Sequence, residues 1–583
     1  MPPPPPAPTP PARPRIWIAH PWVDLLVGCG GWSLPLLALS YGLAGDSARD
    51  WAGAFYALAL VANYPHYMAT VYRAYGAADR AAHRLYTVYL TAGLVAIGVA
   101  AHVDLRLLPV LFTAYVMWSP WHYSGQNYGL SMMFARRAGL AVTPSRAKRL
   151  KLAFAASFVM LLAAFNEGAS ADPMVLSLAL PDTATRVVGW SAAAVFLGVG
   201  GSALWPMARD AGWRAAPTLL LFLTQGLWFV APIAVAWATS APTPQTRYSS
   251  GILAVMHSAQ YLWITQYFAR RDQGAAWRRW AYWAAIVVGG MALFVPVPWL
   301  ASYLGRVDFT ASVLVVTAVV NLHHFMIDGV VWKLRDPRVG RTLSGDATAA
   351  LVPEPAPTPA SSPAARPRWR LVVAGVAAAA LVALAGLDQW RYRLALRDAD
   401  PAALAAAVRV NPYDAVVEAR LVRALTARGD EAALRAHFEA RLARDPADVD
   451  TLVNAGVLAR RQGRLAEAER HWTDAVGHDP GLTVVQLYLA ELFDEQGRAT
   501  AAAGRYRRWL ERVAAGAPDA PRDAAVVAPV VLKFGDALLR AGHPDEARTQ
   551  FALAASIARR AGLADLERAA RERGQTPFKP GLE

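Results

Sequence analysis

The residues best able to do chemistry in this sequence are histidines that stand in apolar surroundings. His66, His122, His257 and the adjacent pair His323 and His324 each lie within a hydrophobic run. An ionisable side chain inside a membrane costs roughly 2.5 to 3.5 kcal/mol on insertion scales, and such residues tend to mark function. Imidazole is a ligand of iron, zinc and copper. The sequence therefore predicts a metal site that these five histidines ligate.

Asp328 adds a carboxylate to this set. It follows His324 by four residues, so a helix would project both side chains from one face. We expect Asp328 to be the catalytic residue, either as a ligand or as a base beside one. The single cysteine, Cys29, excludes a thiolate cluster and an internal disulfide.

Three further polar residues stand at helical spacing from a histidine. Gln126 follows His122 by four residues, and Gln260 and Tyr261 follow His257 by three and four. A histidine that binds metal usually has its second ring nitrogen held by a neighbouring polar group. We expect these three residues to orient the ligands. The same pairs also suit plain hydrogen bonds between helices, and that alternative stays open.

The composition indicates where such a site would lie. Of 583 residues, 55% are hydrophobic and 17% are charged, with a mean hydropathy of +0.24, which is typical of a membrane protein with many spans. About ten apolar segments of roughly 20 residues precede residue 336, and an eleventh runs from Trp369 to Trp390. The predicted fold class is all-α. The net charge of +15 falls in short clusters between these segments, which indicates topology and not nucleic-acid binding.

The basic clusters follow alternate segments and so predict the orientation. Arg73, Arg136, Arg270 and Lys333 come after the second, fourth, eighth and tenth segments. This pattern predicts a protein of a bacterial inner membrane, with the N-terminus in the cytoplasm and the C-terminal region in the periplasm. Counted from these residues, the histidines lie roughly 10 to 21 Å inside the cytoplasmic edge, at a common level.

The C-terminal region is repetitive. Pro412, Pro446 and Pro480 are 34 residues apart, and the same interval separates Gly429, Gly463 and Gly497. This period is typical of stacked helical hairpins. The predicted order is a disordered proline-rich tail at 1–15, a membrane domain at 16–335, a Pro/Ala-rich linker at 336–368, an eleventh span at 369–390 and a repeat domain at 397–575.

The stretch "LVNAGVLARRQGRLAEAERHWTDAVGHDP" resembles a tetratricopeptide repeat. The family's pattern positions are filled by Ala455, Gly456, Ala459, Ala468, Trp472, Ala475 and Pro480. The resemblance covers roughly residues 397 to 575. It implies a helical solenoid whose concave surface binds a protein or peptide partner, without catalysis.

Together these features favour a metal-dependent membrane oxidoreductase that acts on a lipid, an isoprenoid or a quinone. Histidines near the cytoplasmic face are also found in membrane desaturases and hydroxylases, and that likeness implies a two-iron centre. The sequence departs from that family because it has no HxxxH and has Val320 where an HxxHH box needs histidine. Another transition metal or haem stays open as the cofactor.

Two other function classes remain at this point. A membrane glycosyltransferase with a periplasmic repeat domain would use acidic residues near the outer face, for which Asp46 and Asp50 are the early candidates. A scaffold or transporter would use the repeats to recruit a partner, and its histidines would only hold helices together.

Overall fold

The computed structural model of the chain describes residues 16–42, 48–76, 84–170, 172–240, 248–273, 276–332, 339, 343, 368–396 and 399–575. These residues form helices and turns, and no β-strand occurs among them. The prediction of an all-helical protein is confirmed. The predicted tail at 1–15 lies outside the described residues, as does the predicted linker at 336–368 apart from residues 339, 343 and 368.

The chain divides after Leu421 into an N-terminal and a C-terminal unit. We number the helices in chain order. Those of the N-terminal unit are α1 (Pro21–Gly28), α2 (Ser33–Gly42), α3 (Ala48–Leu58), α4 (Tyr64–Val71), α5 (Arg84–Val103), α6 (Leu108–Arg137), α7 (Pro144–Phe165), α8 (Asp182–Ala211), α9 (Ala216–Gln225), α10 (Ala231–Thr239), α11 (Ala254–Gln273), α12 (Ala276–Phe294), α13 (Pro296–Gly305), α14 (Phe309–Val331), α15 (Arg368–Leu396) and α16 (Pro401–Val410). Helix α17 (Ala415–Arg428) crosses the division.

Among the described residues, five helical stretches are long and apolar enough to cross a membrane, which is consistent with an integral membrane protein. They are Arg84–Val103, Asp182–Thr239, Trp280–Gly305, Phe309–Val331 and Val372–Leu396. The pair Pro21–Gly28 and Ser33–Tyr41, bent by 43°, makes a sixth if it is one span. Helices α6 and α11 are long enough to cross but carry more polar residues. The ten or eleven spans predicted from the sequence stay a prediction.

The stretch Asp182–Thr239 folds back on itself. A straight helix of its 58 residues would be about 87 Å long, far more than a bilayer needs. The rings of Phe196 and Phe222 nevertheless stack with centroids 4.3 Å apart. The chain turns at Gly212, whose φ of 53° favours glycine. The stretch is therefore a hairpin, with α8 antiparallel to α9 and α10, as the two apolar segments centred near 197 and 227 indicate.

A π-helical turn at Ala59–Asn63 connects α3 to α4. Pro65 follows in the first turn of α4 and, because it lacks an N–H, cannot continue the backbone hydrogen bonds of the preceding turn, which suits a local irregularity at this point. The wider turn leaves the carbonyl of Asn63 directed at the ring of His66, three residues on. This local irregularity therefore fixes one of the predicted ligands.

The segment after α15 packs within the N-terminal unit. Arg391 forms buried ion pairs with Asp388 at 3.3 Å and with Asp414 at 2.7 Å. The backbone N–H of Phe309 donates to the carbonyl of Tyr413 at 2.9 Å. Residues 399–421 thus lie with the N-terminal unit, although the repeat region was predicted to begin at 397.

The C-terminal unit is a succession of helical hairpins. After α17 its helices are α18 (Glu431–Arg444), α19 (Val449–Arg461), α20 (Leu465–His478), α21 (Thr483–Glu495), α22 (Ala499–Ala514), α23 (Ala524–Arg540), α24 (Pro544–Arg560) and α25 (Ala564–Gln575). Gly429, Gly463 and Gly497 have φ values of 67°, 74° and 73° and stand in the turns inside three hairpins, where glycine avoids strain. At Gly456 a Cβ atom would lie 2.3 Å from Nε1 of Trp472, so glycine lets α19 and α20 approach closely.

Candidate metal centre

Four histidines from four helices meet in the N-terminal unit. They are His66 on α4, His122 on α6, His257 on α11 and His324 on α14. The rings form a closed circuit, with centroid distances of 4.7 Å from His66 to His324, 4.7 Å from His324 to His122, 5.0 Å from His122 to His257 and 5.3 Å from His257 to His66. The structure therefore brings together four of the five histidines that the sequence singles out.

The inner nitrogens of this cluster have no hydrogen-bond partner among the described residues. Nε2 of His66, His122 and His324 is buried and unpaired, and so are both ring nitrogens of His257. More than about 90% of buried polar groups in proteins have a partner, so each exception needs an explanation. Several unpaired nitrogens that lie close together could serve as the donor set of a metal site.

Hydrogen bonds hold the outer nitrogen of two of these rings. Nδ1 of His66 contacts the carbonyl of Asn63 and, at 2.9 Å, the hydroxyl of Ser258. Nδ1 of His324 lies 2.7 Å from the hydroxyl of Thr70. A carbonyl can only accept, so it fixes the proton of His66 on Nδ1 and leaves a lone pair on Nε2. This is the arrangement typical of metal-binding histidine.

Asp328 borders the same cluster. Its Oδ1 accepts hydrogen bonds from the hydroxyls of Tyr261 at 2.8 Å and Thr70 at 3.2 Å. Its Oδ2 lies 3.6 Å from Nε2 of His324 and 3.8 Å from Nε2 of His122. These distances are too long for good hydrogen bonds and leave room for an ion between the three atoms.

The donor atoms form two overlapping groups. His66, His257 and His324 each offer a nitrogen within 4.8 Å of the others, and the same limit holds for His122, His324 and Asp328. Imidazoles that bind one ion through nitrogens at about 2.1 Å have ring centroids roughly 4.6 to 6.5 Å apart, depending on the angle at the ion. The distances around the circuit fall in this range, as does the 6.1 Å from His257 to His324 across it. Each of the two groups therefore fits a transition-metal ion, and His324 belongs to both.

His323 lies apart from the cluster. Its Nε2 is 2.9 Å from the hydroxyl of Thr91 on α5. Successive residues of a helix point about 100° apart, so His323 and His324 cannot both face the same centre. The structure groups His324 with the other three histidines and leaves His323 at the contact between α14 and α5.

The predicted orienting residues take two different positions. Tyr261 contacts the site directly, because its hydroxyl donates to Asp328 and accepts from Nε1 of Trp332 at 2.9 Å. Gln126 and Gln260 instead bond to each other, with Nε2 of Gln126 donating to Oε1 of Gln260 at 2.9 Å. The two glutamines connect α6 to α11 beside the cluster, and within the described part of the chain neither bonds to a ring nitrogen of a histidine.

Sequence reasoning missed three residues that hold ligands. Thr70 contacts His324 and Asp328, and Asn63 and Ser258 contact His66. Thr70 follows His66 by four residues, a spacing that could have identified it. Asn63 and Ser258 give no comparable signal, because a π-helical turn and a contact between helices bring them to His66.

A cavity of about 560 Å³ adjoins the cluster. His122, Gln126, Tyr261 and Asp328 form its polar wall. The remaining lining residues are Tyr86, Trp118, Trp121, Gly125, Gly129, Leu130, Met133, Ile264, Phe325, Met326, Gly329, Val330, Trp332 and Leu343. Pockets of this size bury small organic ligands.

No protein-family model matches the sequence, and no curated protein shows significant similarity to it. The resemblance of the C-terminal region to tetratricopeptide repeats therefore depends on the residues and the period described above. Function has to be inferred from the chemistry of the histidine cluster and its cavity.

Proposed function

We propose that the chain is an integral membrane metalloprotein, an oxidoreductase that acts on a membrane-soluble substrate. The observation that carries this proposal is the convergence of four buried histidines whose Nε2 atoms have no partner among the described residues. Leaving one buried polar group unpaired costs about 1 to 3 kcal/mol. A fold would not hold four such atoms together unless something bound them, and a metal ion is the group that imidazole nitrogens bind best.

One ion is favoured over the two-iron centre that the likeness to desaturases implies. His324 belongs to both donor groups, and its Nδ1 is held by Thr70, so only its Nε2 can bind metal. Haem is disfavoured as well. A porphyrin placed between any two of these rings would displace the other two, because neighbouring ring centroids lie only 4.7 to 5.3 Å apart.

Iron is the metal that this donor set suits best. One of the two donor groups, His122, His324 and Asp328, has two histidines and one carboxylate, the ligand types of non-haem iron oxygenases. When bound, such iron supplies activation of dioxygen for the oxidation of an organic substrate. The chain's own residues would orient the ligands through Thr70 and Ser258, hold a carboxylate at Asp328 and place the substrate in the adjoining cavity.

The same proposal covers the location of the protein. We infer that the N-terminal unit crosses a bacterial inner membrane ten or eleven times with its N-terminus in the cytoplasm. The C-terminal unit would then be a periplasmic tetratricopeptide-type array that binds a protein or peptide partner. The hairpins, their turn glycines and the close contact at Gly456 support this assignment.

Metal analysis of the purified protein tests the proposal. We expect close to one iron per chain, and removal of the metal by a chelator should lower the melting temperature. His324→Gln should abolish metal binding, because it removes a nitrogen common to both donor groups. His323→Gln is the matched control and should retain the metal.

Two outcomes would favour other functions. Far less than one ion per chain of iron, zinc or copper, with His324→Gln as stable as the wild type, would contradict the proposal and favour a scaffold or transporter. Loss of a glycosyl-transfer activity in Asp46→Ala or Asp50→Ala, with His324→Gln active, would favour the glycosyltransferase. Asp46 lies outside the described residues.

A further inference from the structure

We propose that the cavity beside the metal centre binds an uncharged lipid chain that enters sideways from the bilayer. This inference rests on the proposed function and narrows its substrate class. Of the substrates that the sequence allows, it favours those with a long hydrocarbon and no charged group near the reacting carbon, such as an isoprenoid or a fatty alcohol.

The lining of the cavity carries the first part of the argument. No lysine or arginine occurs among the described residues that line it, and Asp328 is their one carboxylate. Away from the metal ligands His122 and Asp328, a phosphate or a carboxylate buried here would have no cationic side chain to pair with, which is costly in an apolar site. An uncharged chain meets aliphatic and aromatic side chains along the walls and reaches the polar wall only at His122 and Asp328.

Three glycines shape the cavity. Gly125 and Gly129 stand one turn apart on α6, and Gly329 follows Asp328 on α14. A Cβ atom at any of the three would have no atom within 4 Å, so the space above them is open. Because glycine lowers helix stability by about 1 kcal/mol relative to alanine, three glycines facing one cavity indicate that the space itself matters.

The mouth of the cavity is aromatic. Tyr86, Trp118 and Trp121 line it and are 43%, 39% and 44% exposed, so the cavity reaches the surface between α5 and α6. Trp118 and Trp121 stand in the middle of α6, which the proposed topology places inside the bilayer. In that topology the part of the entrance beside Trp118 and Trp121 opens to lipid, and so admits molecules dissolved in the membrane.

Photolabelling in phosphatidylcholine vesicles tests this inference. The probes are hexadecanol carrying a diazirine near its far end and the corresponding fatty acid, and labelled peptides are mapped by mass spectrometry. We expect the alcohol to label the peptides that contain Met133 and Met326. Unlabelled hexadecanol should compete, and the acid should label these peptides roughly tenfold less, a difference of about 1.4 kcal/mol.

Blocking variants sharpen the experiment. Gly129→Phe fills the cavity and should reduce labelling by roughly tenfold, the equivalent of about 1.4 kcal/mol. Gly129→Ala is the matched control and should label as the wild type does. Gly125→Phe, one turn away, is a second blocking variant. Competition by unlabelled hexadecanol in the wild-type protein tests the same site even if both variants fail to fold.

The outcomes separate this inference from the proposed function, because metal content is measured in the same samples. Labelling that spreads over the lipid-facing helices, resists competition and is unchanged in both phenylalanine variants would overturn the cavity assignment, even with metal bound. Equal labelling by the acid would overturn the requirement for an uncharged chain. Specific labelling of a protein that holds no metal would contradict the proposed function alone.

Discussion

At the scale of single residues, Thr70 connects the candidate ligands to one another. Its hydroxyl lies 2.7 Å from Nδ1 of His324, 2.6 Å from the hydroxyl of Tyr261 and 3.2 Å from Oδ1 of Asp328. A hydroxyl has one proton to donate and two lone pairs that accept. Tyr261 donates its only proton to Asp328, so the proton of Thr70 lies towards Tyr261 and Asp328. Thr70 then accepts from Nδ1 of His324, and Nε2 of that ring is left with the lone pair a metal needs.

Thr70→Val tests this positioning role. Valine has the same shape but no hydroxyl, so His324 loses the bond that orients it. We expect metal affinity to fall roughly 10- to 100-fold, as for other residues that hold a ligand. Competition with a chelator of known affinity measures the change. Thr70→Ser keeps the hydroxyl and should restore binding, whereas equal affinity in the valine variant and the wild type would contradict the role.

The sequence predicted part of this site because helical spacing can be read from residue numbers. The pair His324 and Asp328 shares one face for that reason. The sequence does not show which of His323 and His324 joins the cluster, because the apolar residues around both do not indicate which face of α14 meets the other histidines. That choice depends on tertiary packing. Helices α4, α6 and α11 lie on one side of α14, whereas Thr91 of α5 contacts His323.

At the scale of helices, the contact between α4 and α12 positions His66. A Cβ atom at Gly290 of α12 would lie 2.6 Å from the backbone carbonyl of Tyr64 and 2.8 Å from the nitrogen of Pro65. Backbone atoms cannot move aside as a side chain can. The two helices can approach this closely only because residue 290 is glycine. The position of His66, which follows Pro65 on α4, depends on that approach.

Gly290→Ala should therefore push α4 away from α12. We expect a loss of about 1 to 3 kcal/mol in the free energy of unfolding, the usual cost of overpacking, together with weaker metal binding. Thermal unfolding of the detergent-solubilised protein and chelator competition measure the two effects. Gly289→Ala is the control, because its Cβ atom would meet only the flexible side chain of Met68. Equal behaviour of both variants would show that the contact can relax.

Some elements could be predicted from the sequence and others could not. The 34-residue period predicts the turns at Gly429, Gly463 and Gly497, because a helix end that requires a positive φ selects glycine. The π-helical turn at Ala59–Asn63 leaves only an indirect mark, Pro65, which follows it and has no backbone N–H to donate. The contact between the carbonyl of Asn63 and the ring of His66 is visible only in the structure.

At the scale of the whole molecule, α15 bears on where the C-terminal unit lies. The stretch Val372–Leu396 is apolar, yet only 11% of its most apolar window is buried by the rest of the protein. Val372 and Val376 are about two thirds exposed. An apolar helix that protein does not cover needs lipid around it. A crossing here would put the C-terminal unit on the side of the membrane opposite to the loop between α14 and α15.

Cysteine labelling tests this topology in intact cells. Cys29 is buried, so Cys29→Ala provides a cysteine-free background. Ala141→Cys, Ala169→Cys and Gly477→Cys each place a thiol at an exposed position. We expect a membrane-impermeant maleimide to label spheroplasts at positions 169 and 477 at once, but at position 141 only after permeabilisation, because Arg146 and Lys148 hold that loop in the cytoplasm. If position 477 behaved like position 141 while 169 stayed accessible, α15 would not cross the membrane, and the partner of the repeat unit would have to be sought in the cytoplasm.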